Sequence, residues 1–431
     1  MKFLHTADLH LGKVFHEHSL IEDQRYMLDR LAEILSDGSI AALLIAGDVY
    51  DRSIPSPGAV SLFSAFLGKV KARRPDMQVL ILPGNHDSSS RLGFGRELFA
   101  ELGVHFVTRP EDAFRPVLVT TGGPGTRSET CAFFLLPFLH PGSLRAEMTG
   151  GKDEGGEAEP LRSQVRLAEE AAARLEAARR EALAAGADYA ALGAHLFAAG
   201  GAESESERVF LGATERVPAD LFASFDYTAM GHLHRFQQAG ERAWYSGSPL
   251  AYSFEEGRYE KVFLLVELER KNPESASETP PKPALSVEPA AMRPMRKMRS
   301  IRGSFDYFFR DEARDPLLKE AETDYLEAVL TDPGLTENPL VLLRRRFPWI
   351  LSVKQEAAFA ALLEARPGTV PGPNAGTPKP GERRSPVEDF EDFLGEIYGG
   401  EDPDRDEKTA AFKELLDELE KSEEEPTGGE Q

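Results

Sequence analysis

Polar residues of metal-binding type follow the ends of strand-like apolar runs in the first half of the chain. Four such runs recur, at 2–8, 41–48, 78–83 and 226–231. Helix-like segments such as 21–35 and 59–73 lie between them, so the pattern predicts an α/β sheet with helices on its faces. Binding sites in such sheets form at the carboxyl ends of the strands. The sequence therefore predicts a functional site where these polar residues meet.

The polar residues form a series of short motifs. In order they are Asp8-x-His10, Gly47-Asp48-x-x-Asp51, Gly84-Asn85-His86-Asp87, His195 in a further apolar run, and Gly231-His232-x-His234. Alternate residues of an extended chain lie on one side, so each D-x-H or H-x-H pair can converge on one metal cluster. The glycines before Asp48, Asn85 and His232 allow sharp turns of the backbone.

Mixed carboxylate, amide and imidazole ligands suit manganese, iron or zinc, and not calcium. The single cysteine, Cys131, excludes both an intramolecular disulfide and a cysteine-rich zinc site. Two metals are expected for about seven ligands, with Asp48 as the bridge because it is the only carboxylate at the end of its central strand. Asp51 and Asp87 are interpreted as supports of the ligands.

The net charge of −22 is unusual for a protein that binds nucleic acid. Residues 385–431 contain 18 acidic and 4 basic side chains, so 4 − 18 = −14 lies in this tail and −8 in the remaining 384 residues. Bound divalent cations would cancel part of that remainder. The acidic composition therefore does not exclude a DNA substrate.

Composition along the chain predicts four segments. They are a large α/β domain over 1–270, a small α+β domain over 285–360, a disordered linker over 361–386 and a helical segment over 387–422 that a protein partner could bind. The stretch 272–289 is rich in Pro, Ser and Glu and is interpreted as a linker or an exposed excursion. No run approaches membrane-spanning length and the N-terminus does not resemble a secretory signal, so we expect a cytoplasmic protein without a membrane partner.

The ordered motifs resemble those of the calcineurin-like metallophosphoesterase superfamily. The resemblance implies an αββα sandwich with a smaller α+β capping domain and a C-terminal helical segment. It further implies that His86 protonates the leaving oxygen or stabilises the transition state, and that Asp87 orients His86 by accepting a ring proton. The implied ligands are Asp8, His10, Asp48 and His234 for one metal, and Asp48, Asn85, His195 and His232 for the other.

Three longer segments resemble the bacterial SbcD-type nucleases: HTADLHLG at 5–12, YSGSPLAYSF at 245–254 and MRSIRGSF at 298–305. This resemblance implies manganese-dependent cleavage of double-stranded DNA from its ends and opening of hairpins. It also implies a homodimer of this chain within a heterotetramer that contains an SbcC-like SMC-type ATPase with a coiled coil. The sequence has no nucleotide-binding loop of the G-x-x-x-x-G-K-S/T type, so any ATP dependence would come from that partner.

Two groups of residues are candidate contacts outside the metal site. The candidate DNA contacts are Arg91, Arg293, Arg296, Lys297, Arg299 and Arg302. The candidate partner-docking positions, on two short amphipathic helices, are Phe390, Phe393, Leu394, Ile397, Phe412, Leu415, Leu416 and Leu419. The alternatives are an ordinary solvated surface for the first group and packing on the protein's own body for the second.

Two rival functions stay open on the sequence alone. One is a metallophosphoesterase that acts on nucleotides or phosphoproteins, against which stand the capping unit and the basic cluster. The other is an inactive scaffold that bridges DNA and an ATPase, against which stands the intact set of ligands.

Overall fold

The computed structural model describes residues 1–122, 128–151, 158–198, 216–270, 282–310, 315–355, 387, 390–391, 394 and 404–424. The chain divides into two compact units, Met1–Ala361 and Leu362–Gln431. The strands are β1 (Lys2–Thr6), β2 (Val14–Phe15), β3 (His18–Ser19), β4 (Ala42–Ala46), β5 (Gln78–Leu82), β6 (Val104–Phe106), β7 (Val117–Thr121), β8 (Glu129–Leu136), β9 (Tyr189–His195), β10 (Tyr227–Gly231), β11 (Gln237–Gln238), β12 (Ala243–Tyr245), β13 (Val262–Glu269), β14 (Ala284–Ala291), β15 (Met298–Gly303), β16 (Tyr325–Leu330) and β17 (Ile350–Lys354). The α-helices are α1 (Ile21–Ile34), α2 (Pro57–Arg73), α3 (Ser89–Leu92), α4 (Arg96–Glu101), α5 (Gln164–Ala184), α6 (Pro316–Ala321), α7 (Pro339–Arg344) and α8 (Arg405–Glu424).

Two six-stranded sheets form the body of the first unit. The first has the strand order β14-β13-β1-β4-β5-β6, and the second has the order β11-β12-β10-β9-β8-β7. Strands β1, β4, β5 and β6 are parallel, as are β8, β9, β10 and β12. Every residue of β4 and β9 is buried, as expected of parallel strands covered on both faces.

The two sheets pack face to face and helices cover their outer surfaces. Phe3 of the first sheet meets Phe133 of the second with ring centroids 5.1 Å apart, inside a core shared by both sheets. Leu31 of α1 and Phe63 of α2 lie in the core on the outer side of the first sheet. Leu167 of α5 lies in the core outside the second sheet. The fold is therefore the αββα sandwich that the family resemblance implies.

A smaller α+β layer follows in the same compact unit. Strands β15, β16 and β17 form a parallel sheet, and Leu318 of α6 and Leu343 of α7 pack with Leu326 of β16. The hydroxyl of Tyr325 donates to Asp23 Oδ2 of α1 at 2.7 Å, which ties this layer to the body.

The stretch 272–289, predicted to be a linker or an excursion, belongs in part to the first sheet. Strand β14 pairs with β13 along its whole length, from Ala284 opposite Glu269 to Ala291 opposite Val262. Pro289 is tolerated because β14 is an edge strand. The predicted start of the capping domain at 285 is therefore too early, and residues 271–281 lie outside the described residues.

The second unit is described mainly by helix α8. Phe390, which precedes α8 in the sequence, stacks on Phe412 of this helix with ring centroids 4.1 Å apart, and Leu394 is buried. The predicted linker 361–386 lies outside the described residues. So do Phe393, Ile397 and the side chains of Leu415 and Leu419. Among the described residues, no helix is long and apolar enough to cross a membrane.

The buried carboxylate of Glu170 holds the segment before α5 against that helix. It accepts hydrogen bonds from the backbone N–H groups of Met148 at 2.9 Å and Thr149 at 2.8 Å, and from Arg174 Nε at 2.7 Å. Burial alone would raise the pKa of Glu170, but these hydrogen bonds dominate and lower it from 4.5 to about 2. The ionised form of Glu170 therefore stabilises the folded state at neutral pH.

Replacement of this carboxylate by an amide is expected to destabilise the fold. We expect Glu170→Gln to lower the free energy of unfolding by about 2 kcal/mol at neutral pH, because an acceptor of charge-assisted hydrogen bonds is lost. A depressed folded-state pKa stabilises the fold above the unfolded value and loses that effect as the pH falls from 4.5 toward 2. Urea unfolding across that range should show the gap between wild type and variant closing, and a gap independent of pH would contradict the assignment.

Candidate metal centre

The predicted ligands lie at the carboxyl ends of parallel strands from both sheets. Asp8 and His10 follow β1, Asp48 follows β4, and Asn85 follows β5 in the first sheet. The second sheet contributes the last residue of β9 and the loop after β10, which carry His195, His232 and His234. The face-to-face packing of the sheets brings these two sets of loops to one edge of the sandwich.

Several of these ligands have a strained backbone. The φ angles of Asp8, His10, Asp48 and His232 are 54°, 43°, 48° and 105°, in the left-handed region that side chains other than glycine seldom adopt. Strain of this kind costs on the order of 1–3 kcal/mol per residue and persists only where the surrounding packing holds it. The loops are therefore held in the conformations that aim these side chains at one another.

The glycines before the ligands have two different roles. Gly47 has a φ of +93°, in agreement with the predicted sharp turn. Gly84 and Gly231 are needed because another loop lies against each of them. A Cβ at Gly84 would be 2.1 Å from Asp48 Oδ1, and a Cβ at Gly231 would be 1.8 Å from the Ala46 carbonyl oxygen. These contacts let neighbouring ligand loops pack directly against each other.

The first group of donors contains Asp8, His10 and His234. One ligand atom from each lies within 4.8 Å of the others, and all three residues are buried. The two Nε2 atoms of His10 and His234 face each other at 3.0 Å. Burial is the main cause that lowers the pKa of His10 to about 4, so its imidazole is neutral near neutral pH and its nitrogen lone pair is available to a metal.

The second group of donors is centred on Asn85. Its Oδ1 lies 3.0 Å from His195 Nε2 and 3.1 Å from His232 Nδ1. His195 Nδ1 lies 3.0 Å from the Ala46 carbonyl oxygen, which can only accept, so the ring proton belongs on Nδ1 and Nε2 is the donor atom. Burial is also the main cause that lowers the pKa of His232, to about 3.

The carboxylate of Asp48 lies between the two groups. Its Oδ2 atom is 3.6 Å from His10 Nε2 and 3.6 Å from His195 Nε2. Burial would raise the pKa of Asp48, but His195 and His10 lower it to about 2 and the carboxylate is ionised. Asp8 also comes near His195, but through Nδ1 at 3.9 Å, which is not the donor nitrogen. Asp48 is thus the carboxylate that reaches the donor atoms of both groups.

This donor set fits a pair of divalent transition metals. It combines neutral imidazole nitrogens, an amide oxygen and two buried carboxylates, which is the mixed nitrogen and oxygen chemistry that such ions accept. The ring atom Nε2 of His232 is buried and has no hydrogen-bond partner among the described residues. A bound cation would satisfy a buried imidazole nitrogen of this kind.

His86 lies beside the first group, and the structure gives its ring a different partner from the predicted one. Its Nδ1 is 2.9 Å from the carbonyl oxygen of Asp51. Asp87 instead accepts backbone N–H groups with both carboxylate oxygens, from Val49 and Tyr50 in the Asp48 loop and from Gly84. The prediction that Asp87 orients the His86 ring is therefore replaced by a role in joining two ligand loops.

Asp51 lies where the sequence predicts a support for the ligands. Its Oδ1 is 3.5 Å from His10 Nδ1, on the opposite side of that ring from His234, and 2.8 Å from Lys13 Nζ. Burial opposes ionisation of Asp51, but the contacts with His10 and Lys13 hold its pKa well below the usual range. The carboxylate can therefore fix the orientation of the His10 imidazole.

A buried ion pair behind the site was not predicted from the sequence. Glu256 and Lys261, from the segment between β12 and β13, contact each other and the ring or backbone of His234. The only sequence signal was a pair of opposite charges next to the apolar start of β13.

Two of the candidate DNA-binding cations form ion pairs within the chain, and four are exposed. Arg296 pairs with Asp23 at 3.0 Å and its guanidinium lies 3.9 Å from the ring centroid of Trp349. Arg299 pairs with Asp324 and Glu320. The exposed cations are Arg91, Arg293, Lys297 and Arg302.

Comparison with known proteins identifies the family of the chain. Residues 1–145 match the family model "Calcineurin-like phosphoesterase". Two proteins from Staphylococcus saprophyticus and Staphylococcus epidermidis, each named as the D subunit of the nuclease SbcCD, are 28% and 26% identical over 83% and 82% of this chain and 85% of each relative. Their namesake from Bacillus subtilis is 31% identical over 73% of this chain and 76% of its own length. This chain belongs to the family of SbcCD nuclease D subunits, within the calcineurin-like phosphoesterases.

Proposed function

We propose that this chain is the nuclease subunit of a complex that processes DNA double-strand breaks and hairpins, and that it hydrolyses DNA phosphodiesters with two metals. The observation that carries the proposal is the position of Asp48 Oδ2, 3.6 Å from the donor nitrogens of both His10 and His195. A carboxylate oxygen in this position could bridge two ions at the separation of about 3.5–4 Å that is usual in two-metal phosphodiesterases. The proposed activities are exonuclease on double-stranded DNA and endonuclease on single-stranded DNA and hairpins.

The proposed ligand sets follow the two donor groups. Asp8, His10, Asp48 and His234 would hold one ion, and Asp48, Asn85, His195 and His232 would hold the other, with manganese as the expected metal. Bound ions of this kind neutralise the phosphate oxygens and make a water molecule nucleophilic. The residues of the chain fix the donor atoms in place and limit the access of bulk water, since five of the seven ligands are buried. Because water is the proposed nucleophile, no covalent enzyme intermediate is expected.

His86 is the proposed general acid. The carbonyl of Asp51 can only accept a hydrogen bond, so His86 keeps a proton on Nδ1. A second proton on Nε2 could then pass to the departing sugar oxygen, which is a poor leaving group without it. Asp51 would orient the His86 ring through its backbone carbonyl and the His10 ring through its carboxylate.

The proposed DNA contacts rest on exposed cations. Arg293, Lys297 and Arg302 would meet phosphates from the smaller α+β layer. Arg91 of α3 is exposed as well, but it lines the same cavity as Phe94, so a second copy of the chain on that surface would compete with DNA for it. Arg296 and Arg299 are engaged in ion pairs within the chain, so any contact with DNA would compete with those pairs.

The proposed protein partner is an SbcC-like ATPase with a coiled coil. The acidic C-terminal segment, −14 over residues 385–431, would repel DNA and favour a basic protein surface. Phe390, Leu394, Phe412 and Leu416 are the described apolar candidates for this contact, and the assembly would be a heterotetramer with two copies of this chain.

An exposed apolar surface supports the homodimer. Val60 of α2, Phe94 and Leu102 are 44%, 83% and 58% exposed and line one cavity of 390 Å³ with other apolar residues. Exposed apolar residues that line one cavity are typical of surfaces that bind another protein. We propose that a second copy of the chain covers this surface.

A charge in this surface is expected to abolish the dimer. Phe94→Glu should convert the wild-type dimer to a monomer in light scattering after size-exclusion chromatography, because a carboxylate would be buried at the interface. Leu118→Glu, at a residue 60% exposed on β7, is the matched control and should leave the mass unchanged. A wild-type monomer at all concentrations would contradict this proposal.

Loss of His86 is expected to impair cleavage without loss of metal. His86→Ser should lower the rate of hairpin and linear duplex cleavage in manganese by about 10²–10⁴-fold, the usual contribution of a general acid, with metal content unchanged. His105→Gln removes a histidine of β6 outside the site and should cut normally. Activity of the wild type on small phosphate esters alone would favour the rival phosphoesterase.

Loss of the shared carboxylate is expected to affect both ions. Asp48→Asn should reduce the bound metal from two equivalents to less than one, measured by elemental analysis after dialysis, because one oxygen serves both donor groups. If the variant keeps one tightly bound equivalent, Asp48 belongs to a single ion. Wild-type protein with less than one equivalent and no cleavage would favour the inactive scaffold.

A further inference from the structure

A buried ion pair lies directly behind His234. Glu256 has no exposed surface and Lys261 has 7% exposed, and Lys261 Nζ lies 2.7 Å from Glu256 Oε2. Paired burial of two charges is costly unless every polar atom finds a partner. Here the lysine also donates to Ser248 Oγ at 2.8 Å, and the carboxylate also accepts the backbone N–H of Tyr252 at 3.2 Å. The network is therefore well satisfied.

The pair holds His234 at two places. Glu256 Oε1 lies 3.1 Å from His234 Nδ1, and Lys261 Nζ donates to the His234 carbonyl oxygen at 3.1 Å. The side chain and the backbone of one residue are thus fixed by the two members of one ion pair.

The contact with Glu256 also determines which ring nitrogen carries the proton. A carboxylate only accepts, so the proton of a neutral His234 ring belongs on Nδ1. Nε2 then keeps its lone pair, and this is the atom that faces His10 Nε2 at 3.0 Å in the first donor group. The ring is held in the only neutral form that can bind a metal through Nε2.

We infer that Glu256 is a positioning residue that, held by Lys261, fixes the tautomer and orientation of His234 for metal binding. This inference rests on the proposed metal centre. It assigns a role to the segment 248–261, which begins inside the resemblance segment 245–254 and extends beyond it to Glu256 and Lys261. Serine, glutamate and lysine of this segment act together as a support for one imidazole.

The first test is metal affinity in the full-length protein. Calorimetric titration of metal-free protein with Mn²⁺ should give two equivalents, and Glu256→Gln should weaken one of them about 10–100-fold while the other changes little. Glu170→Gln is the matched control, since it also neutralises a fully buried, hydrogen-bonded carboxylate but contacts residues 147–149 and Arg174 instead. If both variants weaken metal binding alike, the effect is general destabilisation and the inference fails.

The second test needs no metal and separates this inference from the proposed function. Nitrogen NMR of metal-free protein with ¹⁵N-labelled histidine should show His234, assigned by its loss in His234→Asn, as the Nδ1–H tautomer. In Glu256→Gln this resonance should shift toward a mixture of tautomers, whereas Glu170→Gln should leave it unchanged. An unchanged tautomer in Glu256→Gln overturns the inference. Wild-type protein that shows the expected tautomer but binds no Mn²⁺ overturns the proposed function instead.

Discussion

The face-to-face packing of two parallel-stranded sheets is the constraint on which the site depends. The aromatic core between the sheets, with Phe3 against Phe133, sets their spacing and direction. The carboxyl ends of β1, β4 and β5 then meet those of β9 and β10 at one edge. Without this packing the donors of the first sheet would have no imidazoles opposite them. Asp48 could not then lie between His10 and His195.

Strained backbone conformations and close contacts between loops also position the site residues. Left-handed conformations at Asp8, His10 and Asp48 aim these side chains inward, and glycines at 84 and 231 let the loops touch. Asp87 contributes by accepting backbone N–H groups from two loops. The centre is thus organised by backbone hydrogen bonds and packing, which is how a rigid site achieves its geometry.

The sequence predicted the fold and the convergence of the ligands because both depend on local patterns. Apolar runs such as 78–83 match the strand Gln78–Leu82 closely, and each ligand motif follows its strand. Strand β14 was missed because an exposed edge strand has the Pro- and Glu-rich composition of a linker. The hydrogen-bond partners of His86 and Asp87 could not be predicted either, since they are backbone atoms of another loop. Tertiary contacts of this kind leave no periodic signal.

The central claim is that one carboxylate serves two ions. Anomalous X-ray scattering at the manganese edge, from crystals of the full chain grown with Mn²⁺, tests it most directly. We predict two peaks about 3.5–4 Å apart, with Asp48 Oδ2 between them and Asn85 beside one of them. A single peak, or two peaks of which only one lies next to Asp48, would contradict it.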